Sequence, residues 1–491
     1  MSGFERYGEK TAIADCAGEC SYSELNEMSL RAAGALQNIC GGQDMAEARV
    51  AFMLPKSREY AAIKTAVWRA GGVSVPLSPE HPPGEIRHVT SDSEPSVIVC
   101  HPGFADKIRP QSANAVFVRS DEIFSSPPSR NLPEISPSRR AMMIYTSGTT
   151  GEAKGVITTH SNIAAQTAAM TAAWKWTASD RVLNVLPLHH LHGILNLLLC
   201  PLSAGAVCEM ADLEPSGVWE RFERGGITVF MAVPTVYSKL ADFWENAPEE
   251  RKKSMTAACR AMRLMVSGSA ALTVKLSERW RGISGHTLLE RYGMTETGMI
   301  LSNPLEGKRK PGFVGKPMPG VFAGVFSPSG EPLEAGESGE IRVKGENVFL
   351  EYWNNPAETK RAFSDGMFKT GDIARIDGEG DFQILGRESV DIIKTGGYKV
   401  SALEVEREIA EKTGVVRCAV VGVRDEEWGQ RVAAAVVLED GRLAEGDLKK
   451  WLKPRLASYK IPSLVKVVPS LPENSLGKVL KTEIAAMWED G

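Results

Sequence analysis

One short stretch of the chain carries the residue types that bind phosphate. Residues 145–155 read Tyr-Thr-Ser-Gly-Thr-Thr-Gly-Glu-Ala-Lys-Gly, and they follow an apolar run that predicts a buried strand. Glycines permit positive φ and close backbone approach, so successive N–H groups can converge on an anion. Hydroxyls and a lysine add further donors, which predicts a polyphosphate cradle. The candidate ligands are Thr146, Ser147, Gly148, Thr149, Thr150, Gly151 and Lys154.

This cradle does not have the Walker spacing. Counted from Gly148, that spacing requires glycine at 153 and serine or threonine at 155, where the chain has Ala153 and Gly155. A surface turn rich in glycine and serine is the alternative interpretation. The order of residues and their flanks resemble the phosphate loop of the acyl-adenylate-forming superfamily of AMP-binding enzymes, which includes acyl-CoA synthetases.

A second motif, Arg-Tyr-Gly-Met-Thr-Glu at residues 291–296, supports the resemblance. A carboxylate and a hydroxyl beside a glycine can hold Mg²⁺ and a phosphate oxygen, because Mg²⁺ takes one or two carboxylates plus substrate oxygens. The resemblance implies that Thr295 contacts the α-phosphate of ATP and that Glu296 holds the metal. It also places Tyr292 and Gly293 in the nucleotide site.

Two further stretches match the nucleotide-binding positions of the superfamily. The resemblance implies that Asp372, in Phe-Lys-Thr-Gly-Asp, and Arg387, in Leu-Gly-Arg, bind the ribose. Small residues after the apolar run 264–266 would let a flat adenine lie against the backbone, although a tight turn describes the same residues. The predicted adenine contacts are Ser267, Gly268, Ser269 and Ala270.

The C-terminal part of the chain matches the superfamily at a lysine and at a glycine-containing loop. The resemblance implies that Lys478 is the catalytic lysine, which stabilises the charge developing at the α-phosphate and pyrophosphate. It also implies that Lys394, Gly396 and Gly397 line the coenzyme A channel after a small domain rotates. The expected hinge residue is Ser389, where the family often has aspartate or lysine.

The acid substrate is predicted from two positions. His190, in Leu-Pro-Leu-His-His-Leu-His-Gly, matches a catalytic position that borders the acyl pocket. A metal site at this histidine cluster is disfavoured because no acidic or cysteine ligand adjoins it. Arg291 precedes the Tyr-Gly motif, where a buried guanidinium without a partner would be costly and therefore predicts a second carboxylate on the substrate. Pairing of Arg291 with Glu290 or Glu296 is the alternative.

The wider stretch 285–297 resembles the malonyl-CoA synthetase subfamily, in which the matching arginine binds the distal carboxylate. The resemblance implies an ATP-dependent ligase that makes malonyl-CoA, AMP and pyrophosphate through malonyl-adenylate, with Mg²⁺ as cofactor and ATP and coenzyme A as co-substrates. A ligase for methylmalonate or another short acid is one alternative. A stand-alone adenylation enzyme that loads a carrier protein is the other.

The order of predicted elements indicates an α/β fold with two domains. Apolar residues at helical spacing predict a helix over 22–38 that opens at Ser23, and the following alternation of strands and helices predicts largely parallel sheets covered by helices. Short alternating runs after residue 320 predict a β-rich subdomain. Residues 1–386 are the predicted AMP-binding and acid-binding domain, and residues 387–491 the predicted small, mobile α+β domain.

Composition disfavours nucleic-acid binding, metal sites made of cysteines and a membrane span, which leaves small molecules as the expected partners. A net charge of −4 over 491 residues gives no support to nucleic-acid binding. The eight cysteines include no CxxC pair, which disfavours zinc and iron–sulfur sites. The sequence has no apolar run of the roughly 18 residues that predict a membrane span. We expect a cytoplasmic monomer or homodimer, or a mitochondrial protein if a presequence is missing.

Overall fold

The computed structural model describes residues 4–109, 115–146, 153–396, 398–425, 427–439, 445–473 and 479–488. Several predicted site residues lie outside these ranges: Ser147, Gly148, Thr149, Thr150, Gly151, Gly397 and Lys478. None of the described helices has the length and apolarity needed to cross a membrane.

The strands of the described residues are, in chain order, β1 (Thr11–Asp15), β2 (Gly18–Ser21), β3 (Arg49–Met53), β4 (Val73–Pro76), β5 (Val97–Cys100), β6 (Val116–Arg119), β7 (Arg140–Thr146), β8 (Lys154–Thr159), β9 (Arg181–Asn184), β10 (Val207–Met210), β11 (Val229–Ala232), β12 (Leu264–Ser267), β13 (Leu289–Met294), β14 (Gly298–Ser302), β15 (Lys316–Pro317), β16 (Val321–Phe326), β17 (Ser338–Gly345), β18 (Glu351–Tyr352), β19 (Phe363–Ser364), β20 (Met367–Ile376), β21 (Phe382–Arg387), β22 (Ile392–Thr395), β23 (Tyr398–Ser401), β24 (Val415–Asp425), β25 (Gly429–Leu438) and β26 (Leu464–Val467).

The α-helices are α1 (Tyr22–Cys40), α2 (Arg58–Arg69), α3 (Pro83–Ser93), α4 (Ala105–Ile108), α5 (Ser120–Ile123), α6 (His160–Trp174), α7 (Cys200–Ala204), α8 (Pro215–Glu223), α9 (Pro234–Glu245), α10 (Glu249–Arg260), α11 (Val274–Ser284), α12 (Pro356–Ala362), α13 (Ala402–Ala410), α14 (Glu445–Leu452) and α15 (Lys481–Ala486). A π-helix spans His192–Leu199, and short 3₁₀ turns span Phe4–Tyr7, Pro102–Phe104 and Ser458–Lys460.

One sheet flanks the predicted phosphate loop. Its strand order over the described residues is β18-β8-β7-β4-β3-β5-β6. The strands β4, β3, β5 and β6 run parallel, and β7 pairs with β8 antiparallel so that Thr146 lies opposite Lys154. The two strands therefore bring both ends of the phosphate loop together.

A second, largely parallel sheet carries the predicted acid site. Its order over the same residues is β15-β14-β13-β12-β11-β9-β10-β1-β2. Strands β12 and β13 are parallel neighbours, with Ser267 opposite Glu290, and β13 turns back into β14 as a hairpin. In open parallel sheets, ligands bind beyond the carboxyl ends of the strands. The adjacent carboxyl ends of β12 and β13 are such a place.

Two smaller sheets complete the chain. The antiparallel order β16-β17-β20-β19, with β21 beside β20, forms the predicted β-rich subdomain. The order β23-β22-β25-β24, with β26 beside β25, lies in the C-terminal part, where α13 and α15 pack on β24. The largest apolar core includes three tryptophans that are 0% exposed, Trp174, Trp219 and Trp280. The predicted fold class, a large N-terminal α/β domain with a smaller C-terminal domain, is confirmed.

Candidate active site

Arg291 lies on β13 and is almost fully buried, with 2% of its surface exposed. Its guanidinium packs against the backbone of Gly268, which follows β12. A Cβ atom at Gly268 would lie 2.6 Å from Nε and 2.7 Å from Cζ of Arg291. Any side chain at position 268 would therefore displace the guanidinium. The glycine that the sequence assigns to the adenine site also makes room for the arginine.

The guanidinium of Arg291 has one hydrogen bond among the described residues. Its Nη2 donates to Ser269 Oγ over 3.3 Å, whereas Nε and Nη1 have no partner there. Burial lowers the pKa of Arg291 to about 9, so the group stays protonated at neutral pH. An unpaired buried charge is strongly destabilising. The site is therefore suited to an anion.

The two glutamates that could have neutralised Arg291 have other partners. Glu290 Oε1 accepts from the backbone N–H of Gly312 at 2.9 Å, and Glu296 Oε1 accepts from the hydroxyl of Tyr352 at 2.9 Å. No carboxylate of the described residues forms an ion pair with Arg291. The alternative considered from the sequence, an ion pair of Arg291 with Glu290 or Glu296, is therefore not found among the described residues.

Ser269 links Arg291 to a histidine. Its Oγ lies 3.3 Å from His192 Nδ1 as well as 3.3 Å from Arg291 Nη2. The backbone of Ser269 has φ +68°, a left-handed conformation that costs free energy in a non-glycine residue and often marks a functional site. Burial, followed by the charge of Arg291, lowers the pKa of His192 well below its usual value.

His190, the histidine predicted to border the acyl pocket, packs within a row of imidazoles. Its ring centroid lies 4.1 Å from that of His189, which in turn lies 5.1 Å from that of His81. Burial lowers the pKa of His190 to about 4, so its ring is neutral at physiological pH. The structure thus brings His192, rather than His190, into contact with the Ser269–Arg291 pair. Sequence reasoning missed this residue.

The predicted metal ligand lies at the tip of the hairpin between β13 and β14. Glu296 is buried there, burial raises its pKa, and one carboxylate oxygen is fixed by Tyr352. The neighbouring Thr295 adds a half-buried hydroxyl. A single positioned carboxylate beside a hydroxyl fits Mg²⁺, which completes its coordination with water and nucleotide oxygens. Gly293 is required in the hairpin because a Cβ there would lie 2.2 Å from Gly298 O.

Lys154, the cation of the phosphate loop, forms an ion pair with Glu358 of α12. Its Nζ lies 2.5 Å from Glu358 Oε1 and 5.4 Å from the centre of the Tyr352 ring. Since Tyr352 also donates to Glu296, this tyrosine connects the predicted phosphate ligand with the predicted metal ligand. Neither Tyr352 nor Glu358 was found from the sequence.

The two predicted ribose ligands are in contact with each other. Arg387 Nε donates to Asp372 Oδ1 at 2.8 Å, and its Nη2 donates to Oδ2 at 3.1 Å. The register of β20 and β21 places the two residues directly opposite. The hydroxyl of Tyr292 also donates to Asp372 Oδ2. All three side chains converge on one edge of the β-rich subdomain.

On the C-terminal side, one of the predicted coenzyme A residues, Gly396, borders the exposed Trp428. Lys394 ends in solvent, and a Cβ at Gly396 would lie 2.7 Å from the ring of Trp428. The chain just after Arg387 is anchored by Asp391, which accepts from Lys481 Nζ at 2.5 Å. Lys481 Nζ also lies 2.7 Å from Oε1 of the partly buried Glu406. These ion pairs connect the predicted hinge with the segment that follows Lys478.

Comparison with known proteins identifies the class. A family profile described as AMP-binding enzyme matches residues 3–353, and one described as AMP-binding enzyme C-terminal domain matches residues 404–478. The chain belongs to the AMP-binding enzyme family. The recognition made from the motifs is confirmed.

Among curated relatives, the chain is 44% identical to mitochondrial malonate–CoA ligase ACSF3 of Mus musculus, over 97% of this chain and 88% of that protein. It is 36% identical to malonate–CoA ligase of Arabidopsis thaliana, over 98% and 87%. Among solved structures, ATP-bound MatB from Rhodopseudomonas palustris aligns with a TM-score of 0.91 at 35% identity, over 99% of this chain and 98% of the other.

Proposed function

We propose that this chain is an ATP-dependent malonate–CoA ligase, which forms malonyl-CoA, AMP and pyrophosphate through a malonyl-adenylate intermediate. The observation that carries this proposal is the buried guanidinium of Arg291, which has two unpaired nitrogens and no described carboxylate partner. A guanidinium binds a carboxylate through two parallel hydrogen bonds. The relatives named as malonate–CoA ligases support the same substrate.

In the first half-reaction, one carboxylate of malonate attacks the α-phosphorus of ATP. A P–O bond to the acid forms as the P–O bond to pyrophosphate breaks, and the free carboxylate becomes a mixed anhydride that a thiol can attack. Arg291 orients the other carboxylate. Thr295, the loop at 146–154 and Lys478 stabilise the negative charge that builds on the phosphates. Mg²⁺, held by Glu296, would supply further neutralising charge.

In the second half-reaction, the sulfur of coenzyme A forms a bond to the acyl carbon and AMP leaves. We place the domain boundary at 386/387 and the hinge within 387–391, so that rotation withdraws Lys478 and brings Lys394, Gly396 and Gly397 to the site. Movement of this kind lets one site serve two reactions. The TM-score of 0.91 to ATP-bound MatB, against 0.69 to a malonyl-CoA ligase complex with methylmalonyl-CoA and AMP, supports two domain arrangements.

A preference for methylmalonate is the second candidate. A malonyl-CoA ligase that shares 33% identity with this chain, over 95% of this chain and 97% of that one, has been solved with methylmalonyl-CoA bound. Methylmalonate presents the same two carboxylates to Arg291 and differs from malonate by one methyl group. A single methyl group changes specificity by about 10- to 200-fold at most.

A substrate panel tests both candidates. Purified enzyme with ATP, Mg²⁺ and coenzyme A should release AMP with malonate and with methylmalonate. The ratio of the two kcat/KM values then shows which of the two acids is preferred. Acetate, which lacks the second carboxylate, should be turned over at least about a hundredfold less efficiently, since it leaves a polar site unpaired. Equal use of acetate and malonate would contradict the proposal. AMP release that requires a carrier protein in place of free coenzyme A would favour the adenylation-only alternative.

The compartment is inferred from the relatives. The vertebrate relatives carry the word mitochondrial in their names, which supports the mitochondrial alternative over the cytoplasmic prediction. The expectation of a monomer or homodimer stays a prediction.

A further inference from the structure

Beyond Arg291, three buried polar side chains have atoms without a described partner: Ser267 at the end of β12, His192, which contacts Ser269, and Asn196. Within the described part of the chain, His192 Nε2, Ser267 Oγ and both amide atoms of Asn196 make no hydrogen bond. Ser267 and Asn196 are 0% exposed and His192 is 6% exposed. Burying a polar atom without a partner costs free energy, so each such group calls for an explanation.

The contacts of Ser269 favour one proton position on His192. A guanidinium only donates, so Ser269 Oγ accepts from Arg291 Nη2, and the serine proton is free to be donated. His192 Nδ1 lies within reach, at 3.3 Å. Burial keeps the imidazole neutral, so its single proton is on Nε2 when Ser269 donates to Nδ1. In this arrangement His192 presents a neutral N–H donor that no described residue accepts.

Asn196 lies on the same side of its helix as His192. The segment His192–Leu199 is a π-helix, in which Cys200 N–H donates to Leu195 O, five residues back. Residues four apart share a helix face, and π-turns are frequent at functional sites. A nearby asparagine shows the contrast: Asn184 is equally buried, but its amide donates to Gly193 O and accepts from Leu186 N. Asn184 is structural, whereas the amide of Asn196 has no hydrogen-bond partner among the described residues.

We propose that His192 and Asn196 are specificity-determining residues, which donate hydrogen bonds from Nε2–H and from the amide to the diacid substrate beside Arg291. The proposal rests on the proposed function, because it assigns these donors to the carboxylate that Arg291 binds. The guanidinium supplies the positive charge that attracts the carboxylate, and the two neutral donors restrict the orientation of that carboxylate. A monocarboxylic acid leaves all three groups unpaired, which sharpens discrimination beyond what one arginine provides.

The first experiment compares Asn196→Leu with its matched control, Asn184→Leu. Since no residue in the described ranges bonds to the amide of Asn196, an apolar residue of similar size should leave the unfolding temperature unchanged or raise it. The KM for malonate should rise roughly ten- to a hundredfold, the range for a hydrogen bond to a charged group. The KM for ATP should change less than about threefold. Asn184→Leu should instead lower the unfolding temperature.

The outcomes separate this inference from the proposed function. A lower unfolding temperature for Asn196→Leu with an unchanged KM for malonate would overturn the inference, because the amide would then be structural. A wild-type enzyme that does not use malonate would overturn the proposed function instead. Unchanged malonate KM in a fully stable Asn196→Leu enzyme would also refute the role of Asn196.

The second experiment reads the tautomer of His192 without any activity assay. The sample is ¹⁵N-histidine-labelled enzyme, and the His192→Gln variant assigns the signal of His192. Two-bond proton–nitrogen correlations should show that Nε2 is protonated and Nδ1 is unprotonated across pH 6 to 8. Ser269→Ala should lose this single tautomer. Protonation at Nδ1 in the wild-type enzyme, or a charged ring at pH 7, would overturn the proposed donor.

Discussion

The predicted nucleotide end and acid end of the site differ in whether their cationic side chains have carboxylate partners among the described residues. At the nucleotide end, Lys154 pairs with Glu358 and Arg387 pairs with Asp372. At the acid end, Arg291 is more deeply buried than either cation, and its one partner in the described part of the chain is a serine hydroxyl. Paired groups can exchange partners as ATP comes and goes. We propose that the buried guanidinium, which has no carboxylate partner among the described residues, selects for an anion and sets which acid is used.

The largest expected effect concerns the acid end. Arg291→Ala should lower kcat/KM for malonate by roughly 10²- to 10³-fold, because removing one partner of a buried charge pair costs about 3–5 kcal/mol. The KM for ATP should remain within about threefold of wild type. Arg291→Lys keeps the charge but not the paired hydrogen bonds. Its kcat/KM for malonate should therefore lie between those of the wild-type enzyme and Arg291→Ala. If Arg291→Ala weakened the use of malonate and the binding of ATP equally, Arg291 would not act specifically on the acid.

A loss of similar size is expected at the nucleotide end. Lys478→Ala should slow malonyl-adenylate formation by roughly 10²- to 10³-fold, the range for removing one group that stabilises transition-state charge. Thioester formation from supplied malonyl-adenylate should be retained. Pyrophosphate release and coenzyme A acylation, measured separately, give the two rates. Loss of both steps would count against the role assigned to Lys478.

Glu358→Gln probes the exchange of partners. Removing this carboxylate frees Lys154 for the phosphates, so the KM for ATP should fall by about two- to fivefold, in line with about 0.5–1 kcal/mol for a partly exposed ion pair. The KM for malonate should not change. Glu250→Gln, which breaks the exposed pair with Lys253, is the control. A higher KM for ATP in Glu358→Gln would mean that the carboxylate positions Lys154 instead of competing for it.

The remaining prediction concerns stability rather than catalysis. Burial raises the pKa of Glu290 to about 8, against an ordinary value of 4.5. Between these values the folded protein binds more protons than the unfolded chain, so the contribution of Glu290 to the free energy of unfolding declines as pH rises, by at most about 1.4 kcal/mol per unit. Glu290→Gln should flatten the decline in unfolding free energy between pH 5 and 8. An unchanged slope would show that Glu290 is not the group responsible.

The sequence predicts this protein best where the determining interactions are local. The helix predicted over 22–38 is Tyr22–Cys40, and it begins one residue before the predicted Ser23 because Ser21 forms a capping box with Glu24. The nucleotide-binding motifs are also short and contiguous, so the family and the fold class were predicted correctly.

The missing parts of the site depend on contacts between distant segments. Lys154 and Glu358 are 204 residues apart, and Tyr352 and Glu296 are 56 apart. No spacing rule connects such pairs. The π-helix at His192–Leu199 and the left-handed backbone of Ser269 are set by packing rather than by local propensity. For that reason the sequence indicated Arg291, Gly268 and Ser269 separately but not the contacts among them.

The most direct test is a crystal structure of the enzyme with malonate and a non-hydrolysable ATP analogue. We predict that the distal carboxylate lies within hydrogen-bond distance of the guanidinium of Arg291, at Nε or at Nη1, the two nitrogens without a described partner. A malonate bound elsewhere, with Arg291 turned toward Glu290, would contradict the account.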